Sequence, residues 1–173
     1  ETSIGFTKKI PSNWIAGTIR KENEKYFNSM QYSNTFYDKQ KLVPFTEFLP
    51  FENFLRSIDI FNLVPKNFFS SGDSNNFANN NFLPLICYEG IFPLKTISKL
   101  SANNLAIINI SNDAWFGNHA GPLQHLTHVR YRTVETGLSM IRSTNKGYSV
   151  LINPIGQITE RIPRNELNFI EFQ

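Results

Sequence analysis

Residues 82–87 read Phe82-Leu83-Pro84-Leu85-Ile86-Cys87, and Tyr88-Glu89-Gly90-Ile91-Phe92-Pro93 follow. A short, continuous apolar run after a polar stretch predicts a strand buried on both faces. Pro84 fits such a strand less well, because it cannot donate to a ladder. Toward the C-terminus, Leu105 to Ile110 (LAIINI) repeats the pattern and ends in the polar loop SNDAWFGNHAG. A helix is expected next, with Pro122 in its first turn, an apolar face of Leu123, Leu126, Val129 and Val134, and Gly137 at its end. Tyr148 to Ile152, the turn Asn153-Pro154-Ile155-Gly156 and Gln157 to Ile162 predict a closing hairpin.

Toward the N-terminus, Trp14 to Ile19 (WIAGTI) predicts a strand and Asn28 to Tyr37 the arm of a hairpin. Phe51, Phe54, Leu55 and Ile58 are spaced as on an amphipathic helix over Pro50 to Ile60. Ser70 to Asn81 is a polar, Asn-rich loop. Strands alternating with helices imply an α/β architecture with helices covering a sheet.

The chain has 173 residues, enough for one domain with a real core. Its net charge of +3 comes from scattered Lys and Arg, and no nucleic-acid motif is present, so no nucleic-acid partner is expected. One cysteine rules out an intramolecular disulfide framework. No stretch reaches the ~20 apolar residues of a spanning helix. The chain starts at Glu1 without an initiator Met or a signal-type leader, and is expected to be part of a longer protein.

Cys87 by itself is an ordinary core residue. At a strand end, however, a thiol can be aimed into a cleft where the next backbone N–H groups hold an oxyanion. Glu89, two residues on in an apolar neighbourhood, points to a site, since buried carboxylates are expensive unless paired. Lys39 and Lys41 precede the apolar run Leu42-Val43-Pro44-Phe45. Either could lower the pKa of a thiol or donate to an oxyanion, and spacing does not choose between them. His119, His125 and His128 lack the companion ligands of a zinc site, so no metal is expected. A papain-like pair of Cys87 and His125 is disfavoured, because such enzymes place the cysteine at the start of a long helix. The Phe-rich stretch from Phe45 to Phe69 reads as an aromatic stripe, which is more often a core face than a lipid contact.

Five segments, in order, resemble apolipoprotein N-acyltransferase, a membrane-embedded branch of the nitrilase superfamily. They are Tyr37-Asp38-Lys39 with LVPFTEFLPF; Ile86-Cys87-Tyr88-Glu89 with Ile91-Phe92-Pro93; Asn109 to Gly117 (NISNDAWFG); Gly121-Pro122, Gln124-His125 and Arg130-Tyr131-Arg132; and Arg142-Ser143-Thr144-Asn145 with Gly147. The resemblance implies a nitrilase-like αββα sandwich. Residues 1–173 would be a partial catalytic domain, lacking the first strand and the family's transmembrane helices. It selects Lys39 over Lys41 and implies a triad of Glu1, Lys39 and Cys87, supported by Glu47, Tyr88 and Glu89. It further implies no cofactor, a phospholipid acyl donor, an apolipoprotein acceptor, and a place at the bacterial inner membrane facing the periplasm. The alternatives are a soluble nitrilase-superfamily amidase using the same triad and a non-catalytic remnant.

Overall fold

In the computed structural model, which describes residues 14–50, 68–73 and 81–171, the strand expected near Trp14 runs as β1, Ile15–Glu22. It pairs antiparallel with β2, Lys25–Tyr32, which pairs antiparallel with β3, Thr35–Asp38. The expected hairpin arm is therefore β2, its turn and β3. Asn23 and Glu24 both take positive φ (47° and 62°), the backbone that a two-residue hairpin loop requires. Met30 and Tyr37, paired across β2 and β3, are buried. These strands belong to a first compact unit, Glu1–Asn76. The helix expected over Pro50 to Ile60 and most of the Phe-rich stretch lie outside the described residues.

The second unit, Phe77–Gln173, is built on a five-stranded sheet in the order β4-β5-β6-β7-β8. Its strands are β4, Phe82–Ile86; β5, Ala106–Asn112; β6, Ser139–Asn145; β7, Ser149–Ile152; and β8, Ile158–Ile162. β4, β5 and β6 are parallel, while β7 and β8 return antiparallel as the expected hairpin. Among the described residues β4 ends the sheet, which is why Pro84 is tolerated there.

Two connections carry the helices. A 3-10 turn, Cys87–Ile91, and helix α1, Pro93–Ser98, lead from β4 to β5. A second 3-10 turn, Asp113–Phe116, and helix α2, Gly121–Thr136, lead from β5 to β6. α2 begins with Pro122 in its first turn and stops at Gly137, whose φ of 69° ends it in the left-handed region. Its Leu126 and Val129 pack on Leu83, Leu85, Ile107, Met140, Val150 and Ile152. Each such side chain contributes about 1.5–3 kcal/mol on burial.

The buried face of α2 differs from the one its apolar spacing predicts. Leu123 and Val134 are more than half exposed, whereas His125, Arg132 and Thr133 are buried beside Leu126 and Val129. His125 turns inward because its ring meets partners off the helix, whereas Arg132 and Thr133 bond along the helix itself, to Glu135 and the Arg130 carbonyl.

Candidate active site

Lys39 directly follows β3, and its backbone N–H donates to the Asn28 carbonyl at 2.8 Å, extending the ladder by one residue. The side chain is only 1% exposed. A lysine so placed needs a counter-charge. A tight turn supplies it: the Glu47 N–H donates to the Val43 carbonyl at 2.9 Å and brings the carboxylate back toward β3. Lys39 Nζ then donates to both Glu47 oxygens, at 2.9 and 2.7 Å. Glu47 also accepts from Asn28 Nδ2 at 3.0 Å and from the Val43 N–H at 2.8 Å. Lys41, two residues on, is exposed. Burial and the bidentate carboxylate thus separate the two lysines that spacing left equivalent. Next to them Asp38 is buried and accepts from Ser29 and Arg20, and this contact raises the Arg20 pKa further above its ordinary value.

In the second unit, β4 ends at Ile86 in extended backbone and Cys87 turns abruptly to φ 49°. The left-handed region is uncommon for a residue with a Cβ, and here it turns the chain from strand to 3-10 turn at the cysteine. Cys87 is partly exposed. Glu89, 1% exposed, folds back under the turn and its Oε2 accepts from the Ile86 N–H at 2.8 Å. Its Oε1 accepts from Lys99 Nζ at 3.2 Å. Burial lowers the pKa of Lys99, against the opposing pull of Glu89. Tyr88 stacks edge-on against Phe92, their centroids 4.9 Å apart. Gly90 sits against Val129 of α2 so closely that an added Cβ would lie 2.8 Å from its Cγ2.

Behind this turn lies a buried polar group of Asn109, Asp113, His125 and Arg142, each at most 5% exposed. Asp113 Oδ1 lies 3.0 Å from His125 Nδ1 and accepts from Ser111 Oγ at 2.6 Å. Asp113 Oδ2 accepts from Arg142 at 2.8 Å. Arg142 also donates to Asn109 Oδ1, and Asn109 Nδ2 donates to the Leu85 carbonyl at 3.0 Å. His125 Nε2 lies 3.2 Å from the carbonyl oxygen of Cys87. Burial by itself would raise the Asp113 pKa. His125, Arg142 and Ser111 outweigh it and hold the carboxyl below its ordinary value.

The sequence expectations did not join these four residues. Residue type suggests a metal ligand or a papain-type partner of the thiol for His125, yet its ring meets the main chain of Cys87. Asp113 and Arg142 stand in two of the five segments, where the sequence gives them no role. The local signal is a charged residue at a strand: Asp113 directly after β5 and Arg142 inside β6. Among the described residues no cluster of His, Cys, Asp and Glu could hold a metal ion. Lys39 and Glu47 lie together in the first unit; Cys87, Tyr88 and Glu89 lie together in the second; Glu1 lies outside the described residues.

The family model for carbon-nitrogen hydrolases matches residues 10–172. The chain belongs to the carbon-nitrogen hydrolase family. Solved structures agree in fold: this carbon-nitrogen hydrolase chain superposes on one from Helicobacter pylori with a TM-score of 0.60 at 14% identity, covering 88% of this chain and 59% of that one. Nit3 of Saccharomyces cerevisiae, a nitrilase-superfamily member, gives 0.56 at 17% identity, covering 88% and 55%. The architecture is thus the nitrilase-type α/β fold that the sequence implied. Among curated relatives, the apolipoprotein N-acyltransferase of Azotobacter vinelandii is 36% identical over 192 residues, covering 95% of this chain and 37% of the relative. That of Rhizobium leguminosarum bv. trifolii is 40% identical over 174 residues, covering 91% and 32%. The chain therefore spans about a third of the length of these relatives. Among the described residues no helix is long and apolar enough to cross a membrane.

Proposed function

We propose that this carbon-nitrogen hydrolase chain is part of the catalytic domain of an apolipoprotein N-acyltransferase, with Cys87 as nucleophile. The observation that carries the reading is Cys87 itself: a partly exposed thiol on a left-handed turn at the end of a buried strand, in a chain 36–40% identical to enzymes of that name. Residues 1–173 contribute the catalytic part, and the protein works at the bacterial inner membrane with this part facing the periplasm.

In the first step Glu1 takes the thiol proton and Cys87 Sγ attacks the ester carbonyl carbon of a phospholipid. Lys39 and the N–H following Cys87 stabilise the oxyanion. The carbon–oxygen bond breaks, the lysophospholipid alkoxide leaves with the proton held by Glu1, and a thioester remains on Cys87. In the second step the α-amino group of an apolipoprotein's N-terminal diacylglyceryl-cysteine attacks the thioester. The carbon–sulfur bond breaks, Glu1 passes the proton lost by the amine to the departing sulfur so that the Cys87 thiol is restored, and the acceptor carries a new amide. Glu47 holds the Lys39 ammonium in place, while Glu89 braces the turn that presents the thiol and Tyr88 flanks it.

The test is intact-mass analysis of the complete gene product carrying this chain after incubation with phospholipid vesicles. A mass increase of one acyl group, absent from Cys87→Ala, is expected; no adduct on the folded wild-type protein would sink the assignment. Lys39→Ala should remove the adduct and Lys41→Ala should keep it, and the reverse result would show the lysine to be misassigned.

A further inference from the structure

The four buried polar residues behind Cys87 form one continuous chain of contacts with both ends on the same strand terminus. It leaves the Leu85 carbonyl through Asn109 Nδ2 at 3.0 Å and passes from Asn109 Oδ1 to Arg142. It continues through Asp113 Oδ2 at 2.8 Å and from Asp113 Oδ1 to His125 Nδ1 at 3.0 Å, and returns from His125 Nε2 to the Cys87 carbonyl at 3.2 Å. Asn109 comes from β5, Asp113 from the 3-10 turn after it, Arg142 from β6 and His125 from α2, so four elements are tied to two carbonyls that stand two residues apart.

A backbone carbonyl can only accept, so the contact with Cys87 requires a proton on His125 Nε2. At the other edge Nδ1 lies 3.0 Å from Asp113 Oδ1 and 3.2 Å from Arg142, and bonds one of them at a time: it donates to the carboxylate when protonated and accepts from the guanidinium when not. A bond of this kind matters most where the backbone would otherwise relax. Cys87 is such a place, since its φ of 49° is disfavoured for any residue but glycine.

We infer that His125 is a positioning residue for the nucleophile: through Nε2–H it holds the Cys87 carbonyl and keeps the left-handed turn that presents the thiol. The inference rests on Cys87 being the nucleophile. His125 touches no reacting atom and serves as neither base nor metal ligand.

The experiment uses the complete gene product and a p-nitrophenyl fatty-acyl ester, following the burst of p-nitrophenol as Cys87 is acylated, with Cys87→Ala as the blank. His125→Gln places an amide N–H where Nε2–H stood, whereas His125→Asn places one where Nδ1 stood. The two are close in polarity and fold requirement. His125→Asn and His125→Ala are expected to slow acylation about 100-fold, the scale of an ångström-sized misplacement, with KM little changed. His125→Gln is expected to restore most of the rate. Equal rates for Gln and Asn variants, or a wild-type rate in His125→Ala, overturn the positioning role. A burst that survives Cys87→Ala, or no wild-type burst, instead overturns the nucleophile reading beneath it. If His125→Ala does not fold, the Gln and Asn pair still decides the matter.

Discussion

Cys87 holds φ at 49°, and a left-handed residue with a Cβ is disfavoured by roughly 1–2 kcal/mol. Glycine escapes that penalty, so the usual order of substitutions should invert. Cys87→Gly is expected to be more stable to urea than Cys87→Ala by about 1 kcal/mol, although both lack the thiol. Equal midpoints would mean that the turn carries no strain. Cys87 and Glu89 could be singled out in the sequence because they are neighbours in the chain. So could the pair of lysines; spacing does not choose between them, the family resemblance favours Lys39, and burial, which spacing does not encode, sets it apart from Lys41. What distinguishes Lys39 is Glu47, eight residues away and brought back by a turn.

β4 and α2 meet at the 3-10 turn, where Gly90 faces Val129 with no room for a methyl group. Gly90→Ala should therefore cost about 1–3 kcal/mol through overpacking. Val129→Ala alone should also destabilise, since Val129 is fully buried. Together the changes should compensate, leaving a favourable coupling of about 1 kcal/mol in a double-mutant cycle measured by denaturant unfolding. Additive losses would show that turn and helix do not press on each other. The strands and α2 were legible as elements because apolar period and turn residues are local signals. The inward face of α2 was not. Counting apolar residues assigns polar ones to solvent, yet His125 goes inside because Asp113, Arg142 and the Cys87 carbonyl, all distant in sequence, satisfy its ring.

At the scale of the whole molecule, the same network makes stability depend on acid. Its members come from β5, the turn after it, α2 and β6, so no local motif announces them as a set. Only the folded sheet makes Asp113 the counter-charge of a fully buried Arg142. The Asp113 pKa is held below its ordinary 3.8 by His125, Arg142 and Ser111 despite burial. A carboxyl with a depressed folded pKa gives stability that is complete above the unfolded value and lost as pH falls through the folded one. Asp113→Asn should therefore be less stable than wild type by about 3–5 kcal/mol near neutral pH, because it leaves the Arg142 charge buried without its counter-ion. That difference should persist down to the ordinary value of 3.8 and shrink only below it, as the wild-type carboxyl also becomes neutral. Urea unfolding of both proteins across that range checks the window. A gap already closed well above 3.8 would show that the carboxylate is not held by its partners, and would remove the anchor that fixes His125 on Cys87.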